Sequence, residues 1–187
     1  MKTSTHFPTV VFTALLSILT ISFSSQAETF TFDEKSTIGF VGSKVVGSHE
    51  GGFKKFTGSF ELTEGEPKSG QFVIDMKSTW SDNDKLTGHL LSPDFFEVEA
   101  HPESKFVATK FEKKSEGVYH LSGDFTLRGV TKNITFPTAV KQQGDSATIT
   151  AEFEINRQDF GITYKGMADN LIKDKVVIKL NLIAKTG

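Results

Sequence analysis

The feature that most narrows the fold of this chain is a period of two. In GQFVIDMKSTW, Gly70, Phe72, Ile74, Met76 and Trp80 fall on one side and Gln71, Asp75, Lys77 and Thr79 on the other. In VYHLSGDFTLR, Tyr119, Leu121, Gly123, Phe125 and Leu127 alternate with His120, Ser122, Asp124, Thr126 and Arg128. SATITAEFEIN has Ala147, Ile149, Ala151, Phe153 and Ile155 on its dry side, and VVIKLNLIAK has Val176, Ile178, Leu180, Leu182 and Ala184. Successive strand residues point to opposite faces, so these stretches predict antiparallel strands with one wet and one dry face.

Shorter candidates are ETFTF, STIGFVGSK, FKKFTGSFEL, KFVATKFEK and NITFPTAV, and EGEPKSG, KKSEG and KQQGD supply hairpin turns. About eight strands at hairpin spacing predict an all-β fold, either an up-and-down barrel or a sandwich. Small residues (Gly39, Gly42, Gly58, Gly70, Gly123, Ala147 and Ala151) are read as interleaved on the dry face. They let a barrel bend and leave room inside it, but an eight-stranded barrel can be filled by side chains or hold one ligand. Composition leaves both open.

One segment breaks the rhythm. GHLLSPDFFEVEAHP, Gly88–Pro102, sets five large apolar residues among two histidines and three carboxylates. Ser81 with Asp84 makes a capping-box pattern, and Leu86 and Leu90 share a helical face. Gly88 weakens that helix; Pro93 ends it, with Ser92 placed to cap a second short turn. The expectation is one short helical crossover whose Leu90, Leu91, Phe95 and Phe96 close one end of a barrel.

Phenylalanine dominates the aromatics, with 18 copies against one Trp and two Tyr. Phe brings apolar bulk without a polar tip, which suits a dry interior. The formal net charge is −2, and without a basic stripe nucleic acid is an unsuitable partner. There is no cysteine, so no disulfide and no lipidated cysteine. Lys2, then the uncharged VVFTALLSILTISF (Val10–Phe23), then Ser25 and Ala27 at small-residue positions predict a signal peptide over residues 1–27. That apolar run is short for a membrane span of about 20 residues, which favours a cleaved signal over the alternative of a retained N-terminal anchor. The expected product is one domain over residues 28–187, periplasmic and without stable membrane insertion.

Three blocks carry a family resemblance. HLLSPDFFEVEAHPESKFVATKF, GDFTLRGVTKNITFP and FEINRQDFGI, in that order, resemble the YceI-like family of exported bacterial lipid-binding proteins, and the likeness runs from about Thr31 to Ala184. His89, Leu90, Asp94, Phe95 and Phe96 match the family pattern. Asp33-Glu34-Lys35-Ser36 lacks the histidine of the family's first strand, and Leu86-Thr87 stands where an Arg-Asp pair is often found. The resemblance implies an elongated, lipocalin-like antiparallel β-barrel whose pore takes a long isoprenoid or fatty-acyl chain. It implies a carrier or storage protein rather than a catalyst, with neither cofactor nor catalytic residue, and leaves monomer and homodimer open. The pore-lining candidates are Phe40, Phe60, Phe72, Ile74, Phe106, Leu121, Phe125, Phe153, Ile178 and Leu180 from the strands, with His89, Leu90, Leu91, Phe95 and Phe96 from the crossover.

The polar residues have plain and sharp readings. No two of His49, His89, His101 and His120 share a metal-ligand spacing. His89, on the crossover, is either a head-group or gating residue or a structural histidine. An enzyme acting on an isoprenoid or lipid would use His89 and Asp94 as an acid–base pair; otherwise Asp94 stabilises the turn after Pro93, and Glu97 and Glu99 solvate the outer face. Arg157 and Asp159 are expected to form a rim ion pair.

Overall fold

The structure, a computed structural model, describes residues 26–167 and 170–186. Nearly all of the expected signal peptide lies outside the described residues. Among those described, β1 (Glu28–Phe32), β4 (Phe56–Thr63), β5 (Glu66–Asp75), β7 (Glu103–Ser115), β8 (Val118–Leu127), β9 (Val130–Gln143), β10 (Ser146–Asn156) and β12 (Asn170–Thr186) pair in that order. Pairing of β1 with β12, Phe30 opposite Thr186, closes them into an eight-stranded antiparallel barrel. The barrel reading, and not the sandwich, is the one realised. β12 spans the whole height, running against β10 without a slip from Asn156↔Lys175 to Ser146↔Lys185.

Above β1, β4 and β5 the wall continues as β2 (Thr37–Lys44), β3 (Ser48–Phe53) and β6 (Thr79–Ser81). β2 pairs with β12 and β3, β3 pairs with β6, and the two-residue β11 (Gly166–Met167) pairs with β12. FKKFTGSFEL is therefore not one strand: it is broken at Lys54 and Lys55. GQFVIDMKSTW is broken by a 3₁₀ turn, Met76–Ser78, capped by the Asp75 carboxylate accepting from the Lys77 N–H at 3.0 Å. The turn resets the alternation. Thr79 goes inside, its hydroxyl donating to the Met76 carbonyl at 2.7 Å, and Trp80 is left exposed on the outer side. Gly39 is a second correction, because it sits between the buried Ile38 and Phe40 and so falls on the outward face. Its outer neighbours belong to an open groove of about 980 Å³, where the β1–β4 ladder stops at Thr31↔Ser59 and the β2–β3 ladder resumes at Gly39↔Gly52.

Elsewhere the dry lanes are as read. Tyr119, Leu121, Leu127, Ala147, Ile149, Ile155, Leu180, Leu182 and Ala184 are all buried. At the lower end Phe30 and Phe60 stack at 5.4 Å, with Leu62, Ala147 and Ala184 beside them in the buried core. Two glycines are required by close approach: a Cβ at Gly51 would overlap the Phe40 ring, and one at Gly123 the Phe106 ring. Glycine there lets an aromatic lie flat over its neighbouring strand.

The crossover is helix α1 (Asp84–Leu91) followed by a turn-rich stretch to Pro102. Its cap is Asn83, not Ser81: the Asn83 side chain accepts from the Leu86 N–H at 3.0 Å, while the Ser81 hydroxyl donates to the Asn83 carbonyl. Ser92 closes the helix, donating its hydroxyl to the His89 carbonyl at 2.7 Å, and the expected second turn follows it, the Ser92 carbonyl accepting from the Phe95 and Glu97 N–H groups at 3.1 and 2.9 Å.

Candidate functional site

Beneath α1 the barrel encloses a cavity of about 120 Å³. Its walls come from β2, β3, β5, β7, β8, β9, β10 and β12, and its roof from Leu90, Phe95 and Phe96. Phe96 packs edge-on against Phe40 (6.2 Å) and tilted against Phe53 (6.2 Å), so the roof is joined to β2 and β3 by a cluster of three rings. The larger external groove is solvent-open and rimmed by lysines and carboxylates. Of these two spaces, the one inside the barrel is dry, so size alone does not pick the site.

The polar groups at this cavity are already engaged. The Ser104 hydroxyl donates to the Thr126 carbonyl at 2.7 Å. Arg157, only 4 % exposed, donates to the carbonyls of Ile162 (2.6 Å) and Lys173 (3.1 Å) and to the Asp174 carboxylate (3.1 Å). The expected Arg157–Asp159 rim pair is thus corrected: the partner is Asp174, and the guanidinium is buried. A buried charge needs such pairing, because desolvation otherwise outweighs any gain. Leaving about 120 Å³ of apolar space unfilled forfeits about 3 kcal/mol at roughly 24 cal/mol per Å³, a penalty that an apolar guest would offset.

Of the candidate residues, Phe40, Phe72, Ile74, Phe106, Phe125, Phe153, Ile178 and Leu180 line this cavity along with Leu90, Phe95 and Phe96. Phe60 and Leu121 line a second, smaller cavity of about 30 Å³ lower in the barrel. Leu91 packs on the core without lining either, and His89 faces away from both. The His89 Nε2 shares a 2.9 Å hydrogen bond with the Asp94 carboxylate, and its ring meets Phe95 and Tyr164 edge-on at 4.9 and 4.8 Å. Phe95 therefore stands between that pair and the cavity. Among the described residues, no three of His, Asp and Glu gather in a way that could hold a metal. At the lower end, burial pushes the Tyr119 hydroxyl pKa up.

The same fold occurs in known proteins. A YceI-like domain is matched over residues 30–184. The chain belongs to the YceI-like family. A relative among curated proteins, a UPF0312 protein of Pseudomonas putida (strain W619), is 33% identical over 168 residues, covering 82% of this chain and 84% of its own. Among solved structures, BcnA of Burkholderia cenocepacia superposes with a TM-score of 0.76 at 26% identity, covering 82% of this chain and 99% of its own. A polyisoprenoid binding domain from Saccharophagus degradans, implicated in plant cell wall breakdown, superposes with a TM-score of 0.70 at 16% identity over 87% of this chain and 100% of its own. At that identity the likeness speaks for the fold.

What holds the roof on this YceI-like barrel escaped the sequence reading. Arg128 and Gly129 form the two-residue turn between β8 and β9, both with positive φ (51° and 72°). From there the Arg128 guanidinium donates to the Pro93 carbonyl (3.0 Å), to Glu97 (2.9 Å) and to the Gly161 carbonyl. Glu97 is consequently no solvating surface residue but half of a clamp, itself at φ 51°. A clue was present: an arginine before glycine in a two-residue hairpin occupies a left-handed position that favours Asn, Asp or Gly, which points to a side chain retained for what it touches.

Proposed function

We propose that this protein is an exported, periplasmic carrier that sequesters a long apolar chain, isoprenoid or fatty-acyl, with its end held in the cavity under α1. One observation carries the reading: an enclosed cavity of about 120 Å³ walled by phenylalanine and aliphatic side chains, where the polar groups are already hydrogen-bonded inside the protein. Such a wall recognises by shape and apolar contact, each buried CH₂ contributing about 0.8 kcal/mol. Family membership supports it, as does the likeness in fold to a polyisoprenoid binding domain. A catalytic role for His89 and Asp94 finds no support in the geometry, since neither reaches the cavity.

The test is extraction of natively purified protein with organic solvent, followed by mass spectrometry. A carrier yields one equivalent of unmodified apolar lipid, and an empty extract from protein isolated without detergent removes the reading. The same material, taken from a periplasmic fraction, should begin at Glu28; a chain starting at Met1 in the membrane pellet would overturn export.

A further inference from the structure

The 120 Å³ and 30 Å³ cavities lie one above the other and share four wall residues: Phe72, Phe106, Phe136 and Leu180. All four are buried, between 3 % and 7 % exposed. Phe72 and Phe106 stack at 5.3 Å with an 18° interplanar angle, and Phe106 meets Phe136 at 5.7 Å. Phe136 is stacked in turn on Phe153 at 3.9 Å and 7°. Rings in continuous contact across the barrel, with Leu180 from β12 beside them, make a septum between two chambers. It is held from behind, because Phe106 lies over Gly123, where no Cβ fits, and Phe136 is pinned by the Phe153 ring.

We propose that this aromatic septum determines how much of an apolar chain the protein buries, and so sets its chain-length selectivity. The inference rests on the apolar-carrier reading above and adds to it a stop. An apolar cavity of about 150 Å³ takes a six-carbon ring, so the upper chamber admits a segment of about that size before the chain end meets Phe106 and Phe136. Below the septum the path resumes among Phe60, Phe111, Leu121 and Ile149. Shortening a septum ring would join the chambers and let the chain continue downward. The polar wall residues play no part in this selection, which distinguishes it from recognition of a head group.

The experiment is a homologous series of straight-chain primary alcohols, from four to fourteen carbons, competing with a fluorescent polyene for the full-length mature protein. In wild type each added CH₂ should tighten binding about fourfold until the chain reaches the septum, at about six to eight carbons, after which the curve flattens. Phe136→Ala, and the milder Phe106→Leu in case the first folds poorly, should move the break to longer alcohols by several carbons. Near-native circular dichroism would establish that each variant is folded. A break at the same length in wild type and a folded variant overturns the septum while leaving the carrier reading intact. A wild-type curve that rises steadily to fourteen carbons does the same. If no alcohol of any length displaces the probe or binds, the carrier reading falls and the septum falls with it.

Discussion

Replacing Arg128 with glycine should loosen the roof more than it loosens the fold. Two opposed terms set the magnitude. The backbone at 128 has φ 51°, and relieving a non-glycine residue of that conformation returns about 1 kcal/mol. Against this stand three hydrogen bonds from a charged donor, to Pro93, Glu97 and Gly161. Bonds of this type are worth about 1.5–3 kcal/mol each when buried. Glu97 and Arg128 are both partly exposed, at 34 % and 23 %, so water replaces much of what is lost and the ion pair adds little. A total of about 3 kcal/mol for the clamp leaves a net loss near 2 kcal/mol. For a barrel of this size that lowers the melting temperature by about 4–8 °C. Two of the three acceptors belong to the roof, so most of the loss should appear in roof opening: about 2 kcal/mol is roughly a thirty-fold change in an opening equilibrium. The assay is the dissociation rate of a bound fluorescent polyene, read beside hydrogen exchange of residues 84–101 and thermal unfolding. Arg128→Lys, which keeps one charge but not the fork, should fall between. An unchanged off-rate with a lowered melting temperature would mean that Arg128 stabilises the hairpin and does not hold the roof.

Phe95→Ala should cost about 3–5 kcal/mol, as buried Phe→Ala changes do, and should speed ligand release. Phe30→Ala, on β1 and lining neither cavity, should lower stability without comparable release, as measured by urea midpoints beside off-rates; equal behaviour would make Phe95 a core residue only. On acidification, Asp82 is held below the ordinary carboxylate range chiefly by its hydrogen bond with His49, Glu66 by Lys113 and Lys68, and Glu112 by Lys114. Their folded pKa values lie below the unfolded ones of about 3.9 and 4.3, so the unfolded chain takes up more protons as the pH drops. Urea midpoints should hold from neutrality to about pH 5 and decline from there through pH 3; a midpoint that is flat or rises over that interval would contradict the assignment.

Much of the barrel was legible because alternation depends only on neighbours in the chain. The lanes Tyr119–Leu127, Ala147–Ile155 and Val176–Ala184 read correctly from one end to the other. Trp80 was misread because a three-residue turn upstream shifted the phase, and Met76-Lys77-Ser78 carries no Gly or Pro to announce it. Arg157 was given the wrong partner because Asp159 is near in sequence while Asp174 is near in space, across the β10–β12 ladder. The roof was visible as a greasy interruption, Leu90 to Phe96. What fastens it was not, since Arg128 and Glu97 are 31 residues apart. Whether the pore is hollow or full lay beyond any pattern of residue types. It depends on how the rings of Phe72, Phe106 and Phe136 are turned, and composition is the same for either outcome.

The pairing of β1 with β12 has a kinetic meaning. Phe30 and Thr186 meet as neighbours although almost the whole barrel lies between them in sequence. Such non-local contacts bring a large loop-closure entropy before they return any contact energy, and folds dominated by them form in milliseconds to seconds. The hairpins β7–β8, β8–β9 and β9–β10 can assemble early, each around a short turn. Until β12 docks on β10, β1 and β2 together, the phenylalanine lanes stay open along two bare edges. The 17-residue β12 is therefore the keystone of assembly, and the chain remains an unclosed, aggregation-sensitive sheet for as long as that strand is held away.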